Sequence, residues 1–117
     1  MSSIQRHDVG ARMSQIVVHN GTAYLAGTVA TDYNGNISQQ TAEALAELEK
    51  SLARVGSSKS RLLTAQIWLR DIARDFDAMN IVWENWLPAN SAPTRATCEA
   101  RMAAPEILIE IIVTAAV

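Results

Sequence analysis

Two charged residues stand out, by type and by surroundings, in the stretch from Ala92 to Val113. Arg95 sits among small residues just after Pro93, and Glu110 is flanked by Ile107, Leu108, Ile109, Ile111, Ile112 and Val113. An ionised carboxylate buried without a partner is strongly unfavourable, so Glu110 calls for an opposite charge, a protonated form or a ligand. An arginine held by a sheet offers a planar fork that takes a carboxylate through two hydrogen bonds, and a glutamate in an apolar wall suits proton transfer. On this reading Arg95 orients a small anionic substrate and Glu110 moves protons. The plainer alternative is an ion pair between the two at an interface.

Other reactive side chains offer less. His7 and His19 have no partner at metal-ligand or triad spacing, and His19 falls in a turn. Cys98 is expected on a helix-covered face as an inert thiol, with Thr97 facing the proposed site. Trp68 is expected on the same face as that site, packing against an interface, with a place in the pocket wall as the alternative. Phosphate-cradling loops, zinc patterns and nucleophile elbows do not occur, so neither a metal nor a nucleotide cofactor is expected.

The elements that must position these residues follow from periodicity. The first fifteen residues show no clean pattern and read as a strand or an extended arm. Ile16–Val18 and Ala23–Val29 flank His19-Asn20-Gly21-Thr22, and Asn-Gly is a strong hairpin signal. Turn formers from Thr31 to Asn36 lead to Ser38 as a helix cap. Ala42, Leu45, Leu48, Leu52 and Val55 then form the buried stripe of a helix that Gly56 stops. Leu62–Leu69 alternates as a strand, with Leu63, Ala65, Ile67 and Leu69 on one face. Asp71 or Asp75 caps a second helix whose apolar seam is Phe76, Met79, Trp83 and Trp86, ending at Pro88 and Asn90. A strand from Pro93 to Arg101, a turn over Met102–Pro105 and a last strand from Ile107 to Thr114 complete the chain.

The order β-β-α-β-α-β-β predicts an α+β layer in one domain over residues 1–117, with both helices on one face of a mixed sheet and right-handed crossovers. Alternation places Ala23, Leu25, Gly27 and Val29 under the helices, along with Ile107, Ile109, Ile111 and Val113. The opposite face would carry Tyr24, Thr28, Thr64, Gln66, Trp68, Arg95, Thr97, Glu99, Leu108, Glu110 and Ile112. That mixture is too apolar for water, and with no third layer in the chain another copy of the same protein is the expected cover. Arg95 and Glu110 would then lie at a subunit interface.

Composition narrows the function. A 49% hydrophobic content over 117 residues supports one core with apolar surface to spare, and a net charge of −2 supplies no basic footprint for nucleic acid or an anionic membrane. The single cysteine makes no internal disulfide, and no apolar N-terminal segment resembles a signal peptide or spanning helix, so a cytoplasmic protein is expected.

The run Pro93-Thr94-Arg95-Ala96-Thr97-Cys98-Glu99, followed by Ile109-Glu110-Ile111, resembles the signature of the RidA family, also called YjgF/YER057c/UK114. The hairpin with Ala26-Gly27, the helix 38–55, the strand 61–70 and the helix from Asp75 to Trp86 are similar in order and spacing, so the resemblance covers nearly the whole chain. It implies a chorismate-mutase-like α+β fold and a homotrimer with a site at each subunit interface. It also implies cofactor-free hydrolysis of reactive enamines and imines, such as 2-aminoacrylate-like intermediates, to 2-oxo acids and ammonia. By that resemblance Arg95 binds the substrate carboxylate, the Gly27 backbone contacts the substrate, and Glu110 positions water or relays a proton. The best-known deaminase branch carries a tyrosine where Met13 stands, a serine where Ala26 stands and a cysteine where Thr97 stands. Thr97 can still donate a hydrogen bond, whereas Met13 and Ala26 cannot. The low charge speaks against nucleic acid as the partner. A trimeric small-carboxylate-binding or regulatory protein without turnover is the alternative from another class.

Overall fold

Asn20 and Gly21 both take positive φ, 50° and 77°, as a two-residue hairpin turn matching the strand twist requires. They join β2 (Ile16–His19) to β3 (Thr22–Leu25), with Ile16 opposite Leu25 and His19 opposite Thr22. The expected strand or arm before the hairpin is a short strand, β1 (Gln5–His7), paired to the outer edge of β2. The computed structural model describes residues 3–117.

Helix α1 (Ile37–Arg54) starts two residues earlier than expected. Asn36, not Ser38, accepts the Gln39 backbone N–H, and the Gln39 side chain returns the bond to the Asn36 N–H. This reciprocal capping box satisfies two otherwise orphaned donors. Gly56, at φ 76°, ends the helix. Its N–H reaches Ala53 O, and the Ser57 N–H reaches Leu52 O at 2.9 Å, closing the carbonyl end as a Schellman motif. The buried stripe runs through Gln40, Thr41, Ala44, Leu45, Leu48 and Leu52, whereas Ala42 is exposed. Starting the helix earlier leaves the stripe's leucines in place and gives its N-terminal end to polar residues.

After a short 3-10 turn at Lys59–Arg61 come β4 (Leu62–Leu69) and α2 (Ile72–Trp86), the latter capped by Asp71, which accepts the Arg74 N–H at 3.0 Å. Strands β5 (Thr94–Glu99) and β6 (Ile109–Ala116) follow, each shifted or shortened by a few residues from its expected span. The six strands form one mixed sheet in the order β1-β2-β3-β6-β4-β5. The last strand lies inside, antiparallel to β3 on one side and to β4 on the other, while β5 is an edge strand parallel to β4. Both helical connections therefore join parallel strands. The chain has the two-helix, mixed-sheet α+β architecture that the element order predicts, with one short strand added at the start.

Both helices cover one face. Leu45, Leu48 and Leu52 of α1 and Met79 and Trp83 of α2 share a core with Ile67, Leu69, Ile109, Ile111 and Val113 of the sheet. Each such aliphatic side chain contributes about 1.5–3 kcal/mol on full burial. The other face carries Trp68, Ile112 and Thr114, with Tyr24 49% exposed, and none of the described residues covers it. Among the described residues no helix is long and apolar enough to cross a membrane.

Two irregularities overturn simple alternation. The pairing of β4 with β6 slips between Leu62 and Thr64, so Leu62 enters the core and Leu63 is 44% exposed, contrary to the expected face. The strand after β3 slips as well: Tyr24 pairs with Thr114, but Thr28 bridges Ile111, with N–H···O bonds of 2.9 Å in both directions. One extra residue is thus accommodated around Ala26–Gly27, a β-bulge that inverts which side chains face the helices. Thr28 shares its side with the core residue Ile111, and Gly27 faces the open side, the reverse of the alternation reading.

Candidate functional site

The register of β5 decides where Arg95 points. Arg95 is opposite Ala65, Thr97 opposite Ile67 and Glu99 opposite Leu69, while Cys98 is opposite Trp68. Paired residues share a face, so Arg95, Thr97 and Glu99 lie on the helix side and Cys98 lies exposed on the open side. This reverses the expected placement of all four. The physical reason is strand order. β4 intervenes between β5 and β6, and the loop linking them transmits no parity, so counting from Glu110 back to Arg95 carries no information about face.

Arg95 is held against α2. Its Nη1 donates to Asn80 Oδ1 at 2.8 Å, and its Cζ lies 5.9 Å from the ring centres of both Phe76 and Trp83. Such rings attract a guanidinium through their negative faces. Among the described residues no carboxylate pairs with Arg95. Two residues along the same face, the Thr97 hydroxyl is buried with no hydrogen-bond partner, an unfilled donor beside an unneutralised cation. Phe76, expected in the core, is 37% exposed at the rim of a cavity of about 380 Å³ on α2.

Glu110 lies on the opposite face, across from Trp68 on β4. Its side chain occupies the space above Gly27, where an added Cβ would collide with the carboxylate and come within 2.9 Å of Cδ. The absence of a side chain at Gly27 is therefore what admits Glu110 to this position. Among the described residues the carboxylate has no hydrogen bond to a side chain and no ion pair. Met13 is half exposed in the loop before β2, where its carbonyl accepts the Gly10 N–H at 2.8 Å. Ala26 is half-buried in the bulge, its N–H bonded to Gln15 O at 2.9 Å.

One chain thus carries two groups of candidate residues, Arg95 with Thr97 on the helix side of an edge strand, and Glu110 with Gly27 on the open side. Neither the cavity on α2 nor a larger one of about 540 Å³ beyond the ends of β4 and β5 is lined by Arg95 or Glu110. Sequence reasoning missed Asn80, whose signal was a lone amide between Met79 and Trp83 in an otherwise apolar seam. It also missed Gln40, which is fully buried. Its Nε2 donates to Glu106 O at 2.9 Å and its Oε1 accepts the Leu108 N–H at 2.9 Å, fixing the approach to β6 and hence the start of the strand that presents Glu110.

Residues 3–117 match the family model described as Endoribonuclease L-PSP. A RutC family protein from Haemophilus ducreyi is 44% identical over 114 residues, covering 97% of each chain, and the RutC family protein YoaB of Escherichia coli is 41% identical over 115 residues, covering 98% of this chain and 99% of its own. A crystal structure of a YjgF family member from Neisseria meningitidis superposes with a TM-score of 0.92 at 40% identity, covering 97% of this chain and 94% of the other. The chain belongs to this YjgF/RidA-type family.

Proposed function

We propose that the protein hydrolyses reactive enamine and imine intermediates of the 2-imino acid class to 2-oxo acids and ammonia, at a site assembled between copies of the chain in a homotrimer. The observation that carries this reading is the division of the site. An unneutralised arginine stands on the edge strand, and an unpaired glutamate stands over a glycine on the uncovered face. Each half lacks what the other holds, and a neighbouring copy seated on the open face and the sheet edge would supply it. Membership of the family supports the same reading.

In this scheme Arg95 takes the substrate carboxylate through its free N–H groups, and Thr97 donates its unfilled hydroxyl bond to the ligand. An enamine first gains a proton at carbon to become the iminium ion. Water held by Glu110 adds to the iminium carbon and gives one proton to the carboxylate. The tetrahedral carbinolamine then expels ammonia, the nitrogen receiving that proton, while its hydroxyl releases a proton to solvent that replaces the one taken up at carbon, leaving the carbonyl of the oxo acid. The balance is one water consumed and one ammonia released.

The experiment generates imino acids in situ with an amino-acid oxidase and follows oxo-acid release for wild type, Arg95→Ala and Glu110→Ala. Acceleration by wild type that both variants lose is expected. No acceleration over buffer across several side chains would sink the enzymatic reading. A second reading is favoured by Met13 and Ala26, which offer no hydroxyl to a substrate: a trimeric protein that binds small carboxylates without turnover. Carboxylate binding that persists without catalysis, and that Arg95→Ala abolishes, is its signature. RNA cleavage is not proposed, since a net charge of −2 offers phosphates little attraction.

A further inference from the structure

We propose that Asn80 is a positioning residue that orients Arg95 without neutralising it, and that a neutral amide at this place is what keeps the guanidinium available to an anionic ligand. The inference rests on the reading of Arg95 as a carboxylate clamp.

Phe76, Asn80 and Trp83 follow one another at helical spacing on the α2 face turned to β5, and all three meet the Arg95 side chain. A single acceptor, Asn80 Oδ1 at 2.8 Å from Nη1, fixes the rotation of the guanidinium plane. A guanidinium has five N–H donors, so most of them stay free. The two aromatic rings hold the cation by their quadrupoles and leave its charge intact. A carboxylate in place of the amide would take Arg95 in a two-pronged ion pair and compete directly with a ligand carboxylate. The same helix shows that alternative one turn earlier. Buried Asp75 is gripped by Arg74 through bonds of 2.9 Å to each carboxylate oxygen, which occupies that acidic group and leaves Arg95 alone with the amide. An amide in a seam of Phe76, Met79 and Trp83 is unfavourable unless its polar atoms are used, and the bond to Arg95 uses its acceptor.

The test compares wild type, Asn80→Asp, Asn80→Ala and Arg95→Ala as full chains. Pyruvate serves as a carboxylate probe for calorimetric titration, alongside kcat and KM on imino acids made in situ and Tm. For Asn80→Asp the expected result is pyruvate affinity and KM worsened about tenfold or more, with kcat nearly retained and Tm not lowered. A merely structural role would move Tm and kcat with KM. Asn80→Ala, which loses orientation but adds no charge, is expected to raise KM less than Asn80→Asp. If Asn80→Asp does not fold, Asn80→Ala decides: a raised KM at retained kcat supports the proposal and an unchanged KM overturns it. Wild-type pyruvate affinity in Asn80→Asp overturns it while leaving the clamp intact. Wild-type affinity in Arg95→Ala overturns the clamp itself, and the role of Asn80 with it.

Discussion

The Glu110 carboxylate lies directly over Gly27, in the space a side chain there would fill. The contact exists because the bulge at Ala26–Gly27 turns the glycine toward the open face just where β6 presents Glu110. Gly27→Ala is expected to fold, since the end of a glutamate side chain can swing aside, but Glu110 is displaced. A shift of about 1 Å in a catalytic group can cost on the order of a hundredfold. The expected result is therefore a large loss of kcat with pyruvate affinity retained, and an unchanged kcat would remove Glu110 from the chemistry.

Local conformational requirements were legible in the sequence, while pairing between distant segments was not. Asn20-Gly21 announces its hairpin because few other residues accept positive φ at both positions, and Leu45, Leu48 and Leu52 announce the buried face of α1 because that spacing follows the helical repeat. Glu110 was recognisable as anomalous from its apolar neighbours alone. The bulges at Ala26–Gly27 and Leu63 left no mark, because one added residue preserves the composition of a strand while inverting its faces. The face of Arg95 was hidden for a related reason. It depends on β4 lying between β5 and β6, and no local pattern states strand order. Asn80 was missed although its amide interrupts an apolar seam, because its partner is fixed only by the parallel register of β5.

Glu110→Gln keeps the shape of the side chain and removes its capacity to take a proton. If Glu110 is the general base, kcat falls by about 10²–10⁴-fold, with KM and pyruvate affinity little changed. Arg95→Lys should show the complementary pattern. The charge remains but the two-pronged geometry is lost, so KM rises more than kcat falls. Single-turnover and steady-state kinetics on in situ imines separate the two outcomes.

Gln40 ties three backbone carbonyls and one N–H into the core, joining the loop before α1 to the segment leading into β6. Gln40→Leu preserves volume and strands these groups, each at about 1–3 kcal/mol if it stays buried and unpaired. Denaturant unfolding should show a loss in that range or above. Activity measured well below the midpoint should also fall, because the start of the Glu110 strand loosens. Stability equal to wild type would mean that water or a rearranged loop satisfies the stranded groups.

Asp8 and Arg54 join the loop after β1 to the end of α1 through a 2.7 Å ion pair on the surface. The hydrogen bond from Arg54, supported by its charge, holds the Asp8 carboxyl below its ordinary 3.8. A depressed folded-state pKa contributes stability that is complete above the unfolded value and is lost as pH falls through the folded one. The contribution should therefore be constant at neutral pH and vanish only in strong acid. Side-chain carboxyl NMR titration should place the Asp8 midpoint below 3.8, and Arg54→Ala should return it toward that value. A midpoint at or above 3.8 in wild type would show that the pair does not persist in solution.

The uncovered sheet face makes the oligomeric state a test of the whole scheme. Trp68, Ile112 and Glu110 lie on that face, and Tyr24 beside them is half exposed, while β5, at the edge of the sheet that the described residues form, carries Arg95. A trimer would scatter light with about three times the 12.7 kDa mass of one chain. Ile112→Lys puts a charge into the proposed contact, where burying it unpaired is strongly unfavourable, yet leaves the helix-side core untouched. It should shift the mass toward the monomer and abolish imine hydrolysis, with far-UV circular dichroism preserved. A wild-type monomer that is fully active would mean that one chain holds a complete site, and the division of Arg95 from Glu110 by the sheet would then need another explanation.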